Sequence, residues 1–433
     1  MQWSKFNLMF SSKDGELLLY NSGSNSYIQL DADSTAFIDQ IKINPNQDFS
    51  DSPDLGFKLR LGGFLVEDGA DDDLVRILKM NRIAASYAEN QLSLTIAITK
   101  CCDFDCAYCY EQNRTPPVMS DETADKLVQF ISKHKLVNKI KITWYGGEPL
   151  MEFDKLKSLS NKIQSLGLEY DAQMITNGYR LTPEIIETLN GLKISSLQIT
   201  IDGSKETHDK RRHLKCGGKT YDQIINNIDN LLSSKWEGQL NLRMNIDKQN
   251  SHEFKELYKF IEHRYPYKFN KQVRVYPGFV DDYENYAIEN YFDSYDKGKF
   301  LTTLSEDYGI NPLKIFPHME LGGCTMTRKN AYVVGPEGEL YKCWRDLGNE
   351  REKIGDIFCF TGWNMALIAE GMIGASYLYD ESCENCLLFP ICDGGCPKLR
   401  MLNKRDKGRR NTCTYFKTHM ERLLEVYCRH KVM

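Results

Sequence analysis

The chain lacks any apolar run of the ~18 or more residues that a membrane-spanning helix requires, so a membrane span is not expected. Its first residues, Met1-Gln2-Trp3-Ser4-Lys5-Phe6, lack the apolar core of an export signal, and a cytoplasmic location is the expectation. It also lacks a dominant charge. Lys and Arg number 55 against 60 Asp and Glu, a net of −5, which argues against a dedicated nucleic-acid binder. Two short basic runs, Arg211-Arg212 and Lys404 to Arg410, read as solvated surface. Residues 1 to about 85 contain no cysteine, so no thiolate metal site belongs there. At 433 residues the chain exceeds one ordinary domain, and its length points to about three.

Beyond that segment cysteine is plentiful. Fourteen cysteines in a chain without an export signal point to metal or redox chemistry rather than disulfides. Cys102, Cys106 and Cys109 follow the apolar run Leu92 to Thr99 at the spacing C-x3-C-x2-C. Three thiolates on a tight loop suit three irons of a four-iron four-sulfur cluster, leaving the fourth iron open to a chelating small molecule. The plainer alternative is a zinc knuckle or a set of buried thiols, but zinc usually takes four ligands from paired motifs. Tyr108 lies between the last two cysteines and sets a ring beside such a cluster, whereas Cys101 is out of register and reads as an ordinary thiol. In the tail, Cys383-x2-Cys386-x5-Cys392-x3-Cys396 is followed by Cys413, and upstream Cys324 is followed by Gly338-x4-Cys343. A four-cysteine run of this kind arises by chance in well under about one in a thousand such chains, so two further metal sites are expected, with zinc as the alternative occupant.

Three segments emerge. In residues 1–85, Phe6 to Phe10, Leu17 to Tyr20 and Tyr27 to Leu30 read as short strands. Asp33 reads as the N-cap of a helix bearing Ala36, Phe37, Ile38 and Ile41 on one face, and Leu61 to Val66 as a hairpin wing. Together they make a winged-helix-like module. Across residues 90–305 strands at 92–98, 139–144, 170–176, 195–201, 239–246 and 271–276 alternate with helices at 121–134, 153–166, 183–190, 221–233, 251–264 and 284–300. This α/β pattern predicts a parallel sheet curled into a partial (β/α)6 TIM barrel, with its site at the carboxyl ends of the strands. Residues 306–433 hold the remaining cysteines, a thin core that calls for metal staples, and a final amphipathic helix over Tyr415 to Tyr427.

The suggestive motifs fall at those strand ends. After the second strand, Gly146-Gly147-Glu148 lets the backbone approach a ligand closely, and its polar groups with Glu148 suit an ammonium. After the third, Thr176-Asn177-Gly178 offers hydroxyl and amide groups suited to a ribose or carboxylate, and after the fourth Thr200-Ile201-Asp202-Gly203 repeats the arrangement. Each is ordinary loop chemistry when taken singly. The run Asp281 to Tyr286 is acidic and aromatic, and an exposed helix start accounts for it.

In combination these residues resemble the radical S-adenosylmethionine (SAM) enzymes with a C-terminal SPASM domain, over roughly residues 90 to 430. The first cysteine loop is similar to that superfamily's cluster signature, and Gly146-Gly147-Glu148 to its motif for the SAM amino group. His208-Asp209-x-x-Arg212 with Gly218-Lys219-Thr220-Tyr221 resembles the stretch after the fourth strand in SPASM members. The resemblance implies that Cys102, Cys106 and Cys109 ligate a 4Fe-4S cluster that binds SAM. Tyr108 then lies near adenine, and Thr176, Asn177, Thr200 and Asp202 fall where ribose and carboxylate contacts arise. It further implies two auxiliary Fe-S clusters, expected to be 4Fe-4S. One is held by Cys383, Cys386, Cys392 and Cys413, the other by Cys324, Cys343 and Cys396 with no evident fourth cysteine. The N-terminal module resembles the leader-peptide recognition element of maturases of ribosomally made peptides, which binds a leader as an added strand, here along Tyr27 to Leu30.

The implied activity is a peptide maturase, a radical SAM oxidoreductase in which the reduced cluster cleaves SAM to a 5′-deoxyadenosyl radical that abstracts a hydrogen from a precursor peptide. The product is a thioether, a carbon–carbon crosslink or an epimerised residue, and a flavodoxin- or ferredoxin-type donor supplies the electron. A sulfatase-maturing enzyme that makes formylglycine is the second reading. In that group an aspartate commonly follows the cysteine matching Cys343, where this chain has Trp344, with Asp346 two places on. A third, from another class, is a non-catalytic metal-stapled peptide binder.

Overall fold

The computed structural model describes residues 1–47, 49–50, 52–111, 117–280, 288–310, 321, 323–359, 361–408 and 410–432. The acidic run at 281–286 lies outside them. The chain forms two compact units, one of residues 1–87, 294–327 and 371–433, the other of 88–293 and 328–370. The stretch from 306 onward therefore contributes to both.

In the first unit, β2 (Asn7–Ser11), β3 (Leu17–Asn21) and β4 (Ser26–Leu30) form an antiparallel meander with β2 and β4 at its edges. Helix α1 (Ala32–Ile43) takes Asp31 as its N-cap, two residues before the expected Asp33, because the Asp31 carboxylate accepts the Ser34 N–H at 2.7 Å. Ile38 and Ile41 of α1 pack on Leu19, Leu30, Leu59, Phe64 and Leu65, the core of the module. The expected hairpin wing does not form. Helix α2 (Pro53–Leu61) runs into Gly62-Gly63, Gly63 turns the chain at φ +72°, and β5 (Leu65–Val66) pairs with β1 (Gln2–Trp3) instead of folding back locally. Helix α3 (Ala70–Ser86) follows. The later part of this unit contains the helices Ser294–Tyr308, Pro397–Asp406 and Met420–Val432. The first of these was expected at 284–300.

The second unit is built on a nine-stranded sheet. β6 (Gln91–Thr99), β8 (Lys139–Gly146), β9 (Glu169–Thr176), β10 (Ile194–Thr200), β12 (Gln239–Ile246) and β13 (Val273–Phe279) lie side by side in chain order, all parallel. The crossovers carry α4 (Asp121–Ser132), α5 (Phe153–Gln164), α6 (Pro183–Thr188), α7 (Lys205–Arg211), α8 (Tyr221–Ser233) and α9 (Phe254–Arg264). β7 (Phe104–Cys106) and β11 (Arg212–Leu214) form a separate two-stranded ladder. Beyond β6 the sheet continues into β14 (Ala331–Val334), parallel to it, and then antiparallel β15 (Glu339–Tyr341) and β16 (Gly355–Asp356). Among the described residues pairing stops at β13 and β16, so the sheet is open. Its strands alternate: on β12, Leu240, Leu242, Met244 and Ile246 are buried, while Gln239, Asn241, Arg243 and Asn245 form a partly exposed polar inner face. Among the described residues no helix is long and apolar enough to cross a membrane.

Candidate active site

Strand β6 ends at Thr99 and leads into the cysteine loop. Within the loop β7 pairs with β11, setting Arg212 opposite Cys106 and Leu214 opposite Phe104. From the other side the end of β8 closes on the loop. The Gly147 N–H donates to the Thr99 carbonyl at 3.0 Å and the Glu148 N–H to the Cys101 carbonyl at 2.7 Å. That approach requires glycine. A Cβ on Gly146 would lie 2.2 Å from the Thr99 oxygen, and one on Gly147 would lie 2.0 Å from the Cys101 oxygen.

Glu148 is buried beneath this contact. Its Oε1 accepts the Leu150 N–H at 3.0 Å and the Thr176 hydroxyl at 2.6 Å, and its Oε2 accepts the Asn177 N–H at 2.6 Å. The Asn177 side-chain amide donates to Asp103 at 2.9 Å, and Arg180 Nε donates to the other Asp103 oxygen at 2.7 Å. The two residues read as ribose or carboxylate contacts thus bond to Glu148 and to the cysteine loop. Burial pushes the Glu148 carboxyl from 4.5 up to about 7, outweighing three hydrogen bonds that favour the ionised form. A carboxyl that holds its proton more tightly folded than unfolded contributes stability that is complete below its unfolded pKa and lost as pH rises through the folded one. In metal-free protein the melting temperature should therefore fall between about pH 4.5 and 7 and level off above, and Glu148→Gln should flatten that slope.

Tyr108 is fixed by a buried polar network. Its hydroxyl donates to Asp202 Oδ2 at 2.5 Å and accepts from Arg212 Nη1 at 2.8 Å and Asn245 Nδ2 at 3.0 Å. The Arg211 guanidinium lies 5.1 Å from the ring centroid and bonds Asp247 at 2.8 Å. Asp202 is fully buried and also accepts the Asn245 N–H at 2.9 Å. The Asp202 N–H reaches His208 Nδ1 at 3.2 Å, so Nε2 carries the proton and donates to Thr220 Oγ1 at 3.1 Å. Thr220 in turn donates to the Arg212 carbonyl at 2.6 Å, on the strand that pairs with the cysteine loop. Burial, aided by Arg212, holds His208 well below the ordinary histidine value, which agrees with a neutral ring. Asp209 Oδ1 accepts the Thr220 and Tyr221 N–H groups, each at 2.9 Å. Thr200 is buried at the end of β10 beside this network, in register with Arg243.

All fourteen cysteines are free of disulfides. Burial raises the thiols of Cys102 and Cys106 and pushes that of Cys109 up to about 11, so a bound cation is needed to draw them into thiolates at neutral pH. Among the described residues no three His, Cys, Asp or Glu side chains converge as ligands of a single metal ion. A cluster asks one thiolate of each of three irons, and the soft donor set of this loop fits it.

Residues 96–261 match the family model of the radical SAM superfamily. This stretch is a radical SAM domain. The chain is 25% identical to the serine-type anaerobic sulfatase-maturating enzyme of Bacteroides thetaiotaomicron over 364 residues, which is 74% of this chain and 86% of that protein. Among solved structures it resembles native anSMEcpe with bound AdoMet, with a TM-score of 0.61 and 21% identity over 79% of this chain and 98% of that one. It also resembles Streptococcus suis SuiB bound to the precursor peptide SuiA, with a TM-score of 0.52 and 16% identity over 96% of this chain and 98% of that one. The cofactors of a radical SAM domain are SAM and a 4Fe-4S cluster.

The radical SAM domain is accompanied by a second set of thiols. In the first unit the Cys386 N–H donates to the Cys383 carbonyl at 3.0 Å, and the Gly394 N–H donates to Cys392 Sγ at 3.2 Å. Arg400 reaches Cys383 Sγ at 3.2 Å, Asp380 at 2.9 Å and the Gly394 carbonyl at 2.7 Å. A Cβ on Gly395 would lie 1.9 Å from the Thr412 oxygen, so the run ending at Cys396 closes on the segment bearing Cys413. Burial raises the Cys383 and Cys392 thiols. Cys413 adds to the first rise, and Cys386 and Cys383 to the second. Cys324 borders a cavity of about 190 Å³ with Arg82, Tyr377, Asp393 and Gly395. Cys343 belongs to the second unit and follows β15, just before Trp344, whose ring stacks on Tyr145 at 5.7 Å.

The expectation that Arg211-Arg212 is solvated surface is overturned, since both side chains are buried in the network around Tyr108 and Asp202, and sequence reasoning missed Asp103, Arg180, Asn245 and Asp247. One signal was present for Asn245: polar residues alternate with apolar ones along 239–246, marking a polar inner face. The others become visible only once the loops meet.

Proposed function

We propose that this chain is a radical SAM maturase of a ribosomally made precursor peptide, with a C-terminal SPASM-type domain. The observation that carries the reading is the glycine-enforced junction between the end of β8 and the cysteine loop, in a chain that also carries a three-stranded sheet with an edge at β4. Cys102, Cys106 and Cys109 would hold the SAM cluster. Cys383, Cys386, Cys392 and Cys413 would hold an auxiliary cluster. When bound, SAM and the reduced cluster supply a 5′-deoxyadenosyl radical that removes a hydrogen atom from substrate carbon. The chain's own part is placement. Gly146 and Gly147 let the end of β8 close on the Thr99 and Cys101 carbonyls, Glu148 pins that turn, and the Asp202–Arg212–Asn245 network fixes Tyr108 within the loop that would hold the cluster. A primary carbon radical takes the nearest hydrogen, so such positioning selects the product.

Edge strand β4, with Tyr27 to Leu30, is the surface we assign to the leader, read by main-chain pairing. SuiB, the neighbour solved with a precursor peptide, spans 96% of this chain, whereas anSMEcpe spans 79%. Thiols and Fe-S clusters suit a reducing cytoplasm and a flavodoxin- or ferredoxin-type donor. Sulfatase maturation is the second reading, favoured by the Bacteroides thetaiotaomicron relative. Trp344 after Cys343 counts against it, since Asp346, two positions on, is buried. Mass spectrometry of both substrate types after anaerobic turnover separates them. A precursor peptide encoded beside this chain should lose two hydrogen atoms on crosslinking, or take up one deuterium from heavy water on epimerisation. Formylglycine in a sulfatase peptide, with the precursor unchanged, would overturn the proposal.

A further inference from the structure

Arg243 lies on the inner face of β12, two residues before Asn245 and therefore on the same side of the sheet. Asn245 reaches the Tyr108 hydroxyl of the cysteine loop at 3.0 Å, which puts Arg243 one pleat further back along the same face of the sheet. Its side chain lies flat against β13: a Cβ on Gly278 would fall 2.1 Å from Nε and 2.7 Å from Cζ, so glycine at 278 makes room for the guanidinium. Among the described residues Arg243 forms no ion pair, and its buried Nε has no hydrogen-bond partner. Its neighbours are phenols. Burial raises those of Tyr145 and Tyr276, and the Arg243 charge opposes the rise in both. Tyr145 in turn stacks on Trp344.

Arg243 is only partly buried, but its Nε is sealed from water and has no partner among the described residues, and a hydrogen bond left unmade there is costly unless an acceptor completes it. SAM carries a single carboxylate, whereas two guanidinium groups at this rim have an unpartnered Nε, Arg212 and Arg243. Arg212 bonds Tyr108 and lies opposite Cys106, next to the cysteine loop, so it is the guanidinium that would take the cofactor carboxylate. We infer that Arg243 is the receptor for a carboxylate of the substrate peptide, an Asp or Glu side chain or the chain terminus, held in a planar fork against Gly278. This rests on the peptide-maturase reading and narrows its substrate to a peptide with an acidic group close to the modified residue.

The test uses the full chain, reconstituted with iron and saturated with SAM. Binding of a capped glycine–glutamate–glycine tripeptide is compared with its glutamine counterpart by calorimetry or ligand-observed NMR. The glutamate peptide should bind about tenfold or more tightly. Arg243→Gln should make the two peptides equal, while Arg243→Lys, which keeps the charge, should restore part of the preference and show that the site still folds. Equal binding in the unsubstituted protein, or a preference that survives Arg243→Gln, overturns the inference. So does an equal loss of SAM affinity in Arg243→Gln, which would give the guanidinium to the cofactor. If the preference is found but the unsubstituted protein makes no 5′-deoxyadenosine, the carboxylate site stands and the maturase reading fails.

Discussion

Gly147→Ala should lower 5′-deoxyadenosine formation by at least about 100-fold, because misplacement by about an ångström already costs that much in a positioned reaction. The new methyl carbon would meet three backbone atoms, the Cys101 oxygen at 2.0 Å, the Cys101 carbonyl carbon at 2.4 Å and the Lys100 oxygen at 2.6 Å. No side-chain rotation relieves such a contact. Either β8 or the cysteine loop must move, and with it the Glu148 N–H bond to Cys101. Gly191→Ala is the control, since a Cβ there meets only the Thr188 oxygen at 3.5 Å, ordinary contact. It should cleave SAM at close to the unsubstituted rate, whereas equal rates for the two variants would show that the junction has no part in the chemistry.

Replacing Cys102, Cys106 and Cys109 together by alanine should remove the SAM cluster and leave the auxiliary thiols loaded. Iron content should then drop by about four per chain, and SAM cleavage should fall to background. The selectivity follows from the fold: these three thiols lie on one loop after β6, whereas Cys383, Cys386, Cys392 and Cys413 belong to the other compact unit. A variant that keeps all its iron would show that the loop is not a cluster site. One that loses iron but still makes 5′-deoxyadenosine would show that the radical arises elsewhere.

The parallel strands were legible because each pairs a burial period with a turn signal. Strand 239–246 was read with its observed bounds, and the other five within a few residues. Composition misled at Leu61 to Val66. Gly62-Gly63 reads as a hairpin tip, but a strand at Gln2–Trp3, too short to register as periodic, takes the pairing. The short ladder of β7 and β11 escaped for the same reason, although its consequence, Arg212 opposite Cys106, organises the cysteine loop. Ala331–Val334 is apolar on both faces, which fits a strand buried within a sheet as well as a thin core, and only its pairing with β6 decides. Within the candidate site, residue types drew attention to the strand ends. They did not show that the Thr176 hydroxyl and Asn177 N–H hold Glu148, or that Arg243 and Asn245 share one face, because those relations depend on register.

Oxygen-free reconstitution with iron and sulfide, followed by dithionite and SAM, tests the central claim most directly. The account predicts a brown protein whose reduced cluster signal shifts on adding SAM, and methionine and 5′-deoxyadenosine released in equal amounts. A colourless zinc-loaded protein that leaves SAM intact would contradict it.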